Sequence, residues 1–129
     1  MVFGDGNDFI YNFTASVDVI AHEISHALTD HICPLEYEGQ SGALNEHLSD
    51  VFGVMVRQTV KNQTAEQADW LIGEDCLFPG VHGVGLRSLK APGTAYNDPR
   101  IVRLFCSDSS HATHFRTVAN SIARTKTSR

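Results

Sequence analysis

The sequence predicts a mainly α-helical domain of the α+β class. Two segments, "TASVDVIAHEISHALTDH" and "GALNEHLSDVFGVMVRQTV", carry apolar residues at a helical period. Before them, "MVFGDGN" is a short apolar run that ends in a Gly-Asp-Gly turn, which is typical of a strand leading into a hairpin or a loop. After them, glycines and prolines recur through residues 61–100, so we expect a long loop region with one short helix around "GLRSLK".

Residues at the ends of the two helices predict where each begins and stops. Thr14 or Ser16 is expected to cap the first helix, and Asp18 lies in its first turn, where the helix dipole favours a negative charge. Pro34 is expected to end it. The polar loop "EYEGQSG" follows, and Ser41 is expected to cap the second helix, antiparallel to the first. Near the C-terminus, "TVANSIART" is expected to form a short helix.

Length and composition limit the classes of protein to consider. A chain of 129 residues with 42% hydrophobic and 19% charged residues is typical of one globular domain. The N-terminus has neither the basic residues nor the apolar segment of a signal peptide, and no apolar run is long enough to span a membrane. The three cysteines, Cys33, Cys76 and Cys106, favour neither a disulfide scaffold nor a thiolate zinc site.

Charge divides the chain at residue 100. Residues 1–99 hold four basic and fourteen acidic residues, whereas residues 100–129 hold six basic residues and one acidic residue. The acidic part is poorly suited to nucleic acid and well suited to a divalent cation. The last thirty residues therefore differ in composition from the rest of the chain.

The motif "HEISH" in the first helix predicts a metal site. His22 and His26 are four residues apart, so both side chains point from the same helix face and can reach one ion. Glu23 is rotated from His22 by about 100° and can reach a metal-bound water rather than the metal itself. This H-E-x-x-H pattern is known from zinc proteases, where the glutamate is the general base.

The second helix offers the missing metal ligand. A catalytic zinc site needs a third protein ligand, and an antiparallel return would bring Glu46 opposite the two histidines. Asp50, one turn later, could accept the free ring N–H of a ligand histidine and so fix its orientation, and Asn45 is a second candidate for this role. The alternative for Asp50 is an ordinary carboxylate on the helix surface.

Together these motifs resemble those of the thermolysin-like zinc metalloendopeptidases. The resemblance covers residues 1–99 and rests on "MVFGDG", "DVIAHEISHALTD", "SGALNEHLSDVFG", "DWLIGED", "PGVHGVGLRSL" and "APGTAYNDP". It implies a partial thermolysin-like catalytic domain, a secreted zinc enzyme and a peptide or protein substrate. We expect no nucleic-acid or membrane partner. We do expect self-association through exposed apolar faces.

The resemblance also implies roles for single residues. His22, His26 and Glu46 match the zinc ligands of the family, and Glu23 matches the general base that accepts a proton from the zinc-activated water. Asp50 matches the carboxylate that supports a ligand histidine. Arg87 matches an arginine that stabilises the developing oxyanion. For Arg87 an ordinary salt bridge is the alternative.

The resemblance also concerns a calcium site. Asp18, Asp69 and Glu74 match carboxylates that bind calcium in the family, but Arg57 and Leu71 replace two others. We therefore expect a weakened calcium site or none, because calcium requires six to eight oxygen ligands. The guanidinium of Arg57 is expected to supply positive charge by pairing with Asp69 or Asp18.

The resemblance ends near residue 99, and this leaves two alternatives to an active enzyme. Family catalytic domains are longer and carry a further histidine, for which His111 and His114 are the only candidates here. Residues 100–129 are accordingly expected to be a diverged basic tail. One hypothesis is that the gene is truncated and that these residues are not family sequence. The chain would then be a catalytically inactive zinc-binding remnant. A metal-free helical interaction module is the other alternative.

Overall fold

Two long helices dominate the fold. The structure is a computed structural model that describes residues 6–36 and 38–101. A 3-10 turn at Phe13–Ala15 precedes helix α1, Val17–Ile32, and helix α2 covers Gly39–Val60. Strand β1, Leu71–Ile72, is followed by a 3-10 turn at Glu74–Cys76 and by strand β2, Arg87–Ser88. The predicted fold class, mainly α with a small β component, is confirmed.

Helix α1 has the ends that the sequence predicts. Ser16 is its N-cap residue in extended conformation, but the Ser16 hydroxyl makes no capping hydrogen bond and donates to the Asp18 carboxylate instead. Asp18 lies in the first turn. The helix ends at Ile32, and the N–H of Cys33 donates to the Thr29 carbonyl before Pro34 stops further helical bonding.

Helix α2 begins earlier than predicted, and the expectation that Ser41 caps it was wrong. The N-cap is Glu38, so Ser41 lies within the first turn. Its hydroxyl donates to the carbonyl oxygens of Glu36 (2.6 Å) and Glu38 (2.8 Å) instead of accepting a backbone N–H. A serine oxygen can take either part, and here the carbonyls before the helix are the nearer partners.

The short helix predicted around "GLRSLK" was also wrong, because this segment forms strand β2. Leu71 pairs with Ser88 and Ile72 with Arg87 in an antiparallel register. The N–H of Leu86 donates to the Ile72 carbonyl at 2.7 Å, and a Cβ at Gly85 would lie 2.9 Å from that same oxygen. Glycine thus lets the two backbones approach, and hydrogen bonds across the chain replace those of a local helix.

The apolar core lies between the helices and the loop region rather than along the contact of the two helices. It consists of Ile10, Val19, Val54, Ile72, Cys76 and Leu86. By contrast, the side of α2 that is buried is mostly polar or small, and much of its apolar stripe is exposed, including Leu44, Phe52 and Met55. Within the described part of the chain, neither helix is long and apolar enough to cross a membrane.

Gly53 allows the backbone of α2 to lie close to the start of α1. A Cβ at this position would lie 2.6 Å from the carbonyl oxygen of Asp18, so only glycine permits this spacing. Several predictions fall outside the described residues: the start of the N-terminal strand, the "TVANSIART" helix, and the positions of Cys106, His111 and His114.

Candidate metal centre

The facing sides of α1 and α2 form a row of polar contacts, which we call the polar seam. From the N-terminal end of α1 it consists of Asp18 with Arg57, His22 with Asp50 and Glu46, and His26 with Asn45, Glu46 and Ser49. The helices run antiparallel, so positions along α1 meet positions in reverse order along α2. Side chains that the sequence separates by up to 39 residues therefore meet at one interface.

Three side chains of the polar seam converge on one point. The Nε2 atoms of His22 and His26 are 2.9 Å apart. Oxygens of Glu46 lie 3.4 Å from His22 Nε2 and 3.5 Å from His26 Nε2. Within the described residues these three form the only group of histidine, cysteine and carboxylate side chains suited to hold a metal ion.

The hydrogen bonds on the far side of each ring determine which nitrogen carries the proton. Nδ1 of His22 faces a carboxylate oxygen of Asp50 at 2.8 Å, and Nδ1 of His26 faces the amide oxygen of Asn45 at 2.8 Å. Both partners are acceptors, so Nδ1 is the donor in each ring. In the neutral rings both Nε2 lone pairs therefore point toward each other and toward the Glu46 carboxylate.

Such a set of facing acceptors fits a cation. Two lone pairs and a carboxylate repel one another unless a proton or a metal ion lies between them. Around a tetrahedral zinc with bonds of about 2.0–2.1 Å, ligand atoms are separated by about 3.3–3.4 Å. The three observed separations, 2.9, 3.4 and 3.5 Å, are close to that spacing. The residues present fit a zinc ion bound by two histidines and one glutamate.

Asp50 links the metal centre to Arg87 on β2. Its carboxylate accepts from Arg87 Nε at 2.7 Å and Nη2 at 2.6 Å, and it also faces His22. Burial would raise the pKa of Asp50, but the charge of Arg87 and the two hydrogen-bonding partners outweigh it and lower the pKa to about 2. Asp50 is therefore ionised across the physiological range.

The same contacts act on His22. Burial favours the neutral ring, but hydrogen bonds to Asp50 and Glu46 outweigh it, and the pKa of His22 is raised above its ordinary value. A proton on the His22 ring supplies positive charge beside Asp50 and Glu46, as a metal ion bound to that ring would. Metal binding at His22 is consequently in competition with protonation.

On its Nδ1 side, His26 has neutral partners rather than a carboxylate. Besides Asn45, the hydroxyl of Ser49 lies 3.1 Å from His26 Nδ1. Asn45 is fully buried, and its Nδ2 has no hydrogen-bond partner among the described residues. Sequence reasoning did not single out Ser49, although it lies one turn after Asn45 on the same helix face, which is the signal that could have found it.

The structure brings the predicted zinc ligands and their predicted supporting residues together. His22, His26, Glu46, Asn45 and Asp50 meet along the polar seam, and Arg87 reaches this group through Asp50. Glu23 is half-buried on α1, directly after His22. The predicted surface alternative for Asp50 does not describe it, because the side chain is buried.

The three carboxylates considered for calcium surround Arg57 instead. Its guanidinium contacts Asp18 at 2.8 Å, Glu74, and Asp69 at 3.8 Å. Leu71, the other departure noted in the sequence, belongs to β1. A guanidinium thus occupies the position between the carboxylates.

Comparisons with known proteins agree with this geometry. A family model described as "Thermolysin metallopeptidase, alpha-helical domain" matches residues 33–123, and one described as "Thermolysin metallopeptidase, catalytic domain" matches residues 1–30. The chain is 60% identical over 99 residues to an "Extracellular metalloprotease" of Pectobacterium carotovorum subsp. carotovorum, covering 76% of this chain and 28% of that protein. It is 53% identical over 100 residues to "Protease PrtS" of Photorhabdus sp., covering 77% of this chain and 27% of that protein.

A solved structure is similar as well. The precursor of protealysin, a metalloproteinase from Serratia proteamaculans, matches with a TM-score of 0.75 and 53% sequence identity. The match covers 78% of this chain and 32% of the protealysin precursor. The chain thus spans less than a third of the length of these relatives.

Proposed function

The chain belongs to the thermolysin metallopeptidase family, and on this premise we propose that it is a zinc-dependent metalloendopeptidase that hydrolyses internal peptide bonds. The observation that carries the proposal is the convergence of His22, His26 and Glu46 within 4.8 Å of one another, with both ring Nδ1 atoms engaged elsewhere. Proteins named as metalloproteases among the relatives support the same reaction class.

His22 and His26 would hold zinc through Nε2, and Glu46 through its carboxylate. Zinc bound there would act as a Lewis acid and lower the pKa of a water molecule. Asp50 and Asn45 would hold the two rings in the required tautomer and orientation, since each accepts the Nδ1 proton. The Ser49 hydroxyl is a further polar neighbour of the His26 ring.

Glu23 is proposed as the general base. It follows His22, so its carboxylate is turned about 100° from the ligand direction and is suited to act on water rather than to bind zinc. It would accept a proton from the attacking water at a carboxylate oxygen and deliver it to the nitrogen of the departing amine.

Arg87 is proposed as the cation that stabilises negative charge on the substrate carbonyl oxygen. Its contacts with Asp50 through Nε and Nη2 fix the guanidinium beside the His22 ring. A fixed positive charge costs no reorganisation when the substrate charge develops, which is the condition for effective electrostatic stabilisation.

The proposed enzyme acts outside the cell that makes it. The proposal rests on the relative in Pectobacterium carotovorum, whose name includes the word "extracellular". Detection of the protein in culture medium, with a cytoplasmic marker retained in the cells, tests this part separately from the chemistry.

Two measurements on the purified chain test the proposed reaction: zinc content after dialysis, and cleavage of an internally quenched peptide. The expected result is one zinc per chain and cleavage that Glu23→Gln abolishes without loss of zinc. Glu66→Gln is the matched control, because Glu66 is exposed on a turn after α2 and should leave both measurements unchanged.

The remaining outcomes discriminate between the alternatives. Zinc binding without cleavage would mean a catalytically inactive zinc-binding chain, with the ligands present and the reaction absent. A chain that binds no zinc, in which His22→Ala changes nothing, would instead be a metal-free helical interaction module.

A further inference from the structure

Arg57 is a buried cation surrounded by carboxylates. Its side chain is only 3% exposed although it lies in the last turns of α2. Nη1 donates to Asp18 at 2.8 Å, and Nη2 contacts Glu74 and lies 3.8 Å from Asp69. The hydrogen bond with Asp18 and the three negative charges outweigh burial and raise the pKa of Arg57, so it stays charged.

Asp18 is the part of this cluster that joins separate elements. Its carboxylate is fully buried and accepts four hydrogen bonds. Oδ1 accepts from the Ser16 hydroxyl and from the Val19 N–H at 2.7 Å, both at the start of α1. Oδ2 accepts from Arg57 on α2 at 2.8 Å and from the Gly73 N–H, after β1, at 3.1 Å. The pair therefore ties α1, α2 and the loop region together.

This pair lies in line with the metal centre. Asp18 is one helical turn before His22 on α1, and Arg57 is about two turns after Asp50 on α2. Between them, Gly53 lets the α2 backbone approach the Asp18 carbonyl so closely that a Cβ would lie 2.6 Å away. The contact at Asp18 and Arg57 thus sets how far α1 can slide along α2.

A small slide would disturb the proposed metal ligands. One residue along a helix corresponds to about 1.5 Å, and a metal site tolerates deviations of only about 0.2 Å in its bond lengths. His22 and His26 come from α1 and Glu46 from α2, at separations of 3.4 and 3.5 Å. The relative position of the two helices is therefore part of the ligand geometry.

We infer that Arg57 is a positioning residue for the metal centre: as a cation built into the chain, it holds α1 and α2 in the register that brings Glu46 to His22 and His26. The inference rests on the proposed function, since it concerns the zinc ligands assigned there. Arg57 acts through Asp18, and among the described residues its ion pairs are with Asp18, Asp69 and Glu74 rather than with the proposed ligands.

The test uses the full chain with Arg57→Gln, Arg57→Lys and a control, Arg100→Gln. Arg100 also forms an ion pair with a buried carboxylate, but this is Asp98, two residues earlier in the chain and outside α1 and α2. Each variant is checked for helical content by circular dichroism. Zinc affinity is then measured by competition with a chromophoric chelator, and the absorption spectrum of bound Co²⁺ reports the ligand geometry.

For Arg57→Gln we expect zinc affinity to fall about tenfold, the lower end of the effect of outer partners on metal sites, and the Co²⁺ spectrum to change. Arg57→Lys should recover part of the affinity, because it restores the charge but not the two-pronged contact with Asp18 and Glu74. Arg100→Gln should leave both readouts as in the unmodified chain.

Other outcomes separate this inference from its premise. If Arg57→Gln unfolds more easily but binds zinc with unchanged affinity and spectrum, Arg57 is merely structural and the inference is overturned. If Arg57→Gln does not fold, Glu74→Gln takes its place, because Glu74 is exposed. It removes one partner of Arg57 and should weaken zinc binding less than Arg57→Gln would. Unchanged binding overturns the inference. Failure of the unmodified chain to bind zinc refutes the proposed function instead.

Discussion

Replacement of Asp50 by asparagine should separate its effect on the metal site from its effect on stability. Asp50 accepts from His22 at 2.8 Å and from Arg87 at 2.7 and 2.6 Å. The asparagine keeps the size and one acceptor oxygen but removes the charge. Loss of the orienting carboxylate should weaken zinc binding by about 10–100-fold, or about 1.4–2.8 kcal/mol.

The same change should destabilise the metal-free chain. Removal of one partner of a fully buried ion pair costs about 3–5 kcal/mol. Arg87 is 24% exposed, so solvent can stabilise part of its charge. We therefore expect a smaller loss, about 1–3 kcal/mol in the free energy of unfolding.

The assay is urea unfolding with excess chelator, together with zinc affinity measured by competition at pH 8. An alkaline pH is needed because Asp50 raises the pKa of His22. Without the Asp50 carboxylate, the His22 ring would hold a proton less readily, so protons would compete less with zinc for this ring at acidic pH. This would offset part of the lost zinc affinity. This competition weakens as the pH rises, so the measurement at pH 8 is less affected by it than one at acidic pH.

A double variant provides the control. Adding Arg87→Gln to Asp50→Asn removes the unpaired guanidinium, so stability should partly recover while zinc binding stays weak. If Asp50→Asn lowered stability but bound zinc with the original affinity, the carboxylate would not orient His22. The reasoning from the Nδ1 contact would then be refuted.

Three further predictions follow from packing. Gly53→Ala should lower the free energy of unfolding by about 1–3 kcal/mol, because its Cβ would lie 2.6 Å from the Asp18 carbonyl oxygen, although alanine favours helices. If urea unfolding showed the variant to be as stable as the unmodified chain or more stable, this prediction would be contradicted. Burial, with nearby acidic charges, raises the pKa of Cys76 to about 11, so at pH 8 iodoacetamide should label this thiol only after the chain is unfolded. Peptide mass spectrometry measures the labelling. Labelling of Cys76 in the folded chain would argue against its burial. The side chains of Leu28 and Ile32 are 51% and 70% exposed, so the double variant Leu28→Ser, Ile32→Ser should self-associate less than the unmodified chain in light scattering. An unmodified chain whose mass stays at 14.2 kDa at all concentrations would refute a role for these residues.

The parts of the fold that could be predicted depend on local sequence. The limits of α1 follow from Ser16, Asp18 and Pro34, each of which acts within one turn of the chain. That His22 and His26 share a helix face follows from helical geometry alone. The meeting of these residues with the second helix could be anticipated because a short loop favours an antiparallel return.

The parts that were missed depend on contacts between distant residues. Strand β2 has two residues, and its bonds come from β1 and the residues beside it, so "GLRSLK" carried no local signal for it. Ser41 has the residue type of a cap, but the carbonyls of Glu36 and Glu38 are its partners. The apolar period of α2 predicted a helix correctly, and much of its apolar face is exposed, as expected from the sequence for apolar faces of this chain.

The polar seam buries several charged side chains between the two helices. Its buried members include Asp18, His22, Glu46, Asp50 and Arg57, so the interface gains little from the hydrophobic effect. Buried charges are costly unless each has a partner of opposite sign. Arg57 supplies that partner at one end and Arg87 in the middle.

At the other end, Glu46 faces two ring nitrogens that are themselves acceptors when the rings are neutral. Arg87 also acts electrostatically on Glu46. The proposed zinc would add a second positive charge beside this carboxylate. Zinc binding should therefore stabilise the helix pair, and the metal-free form should be the less stable one.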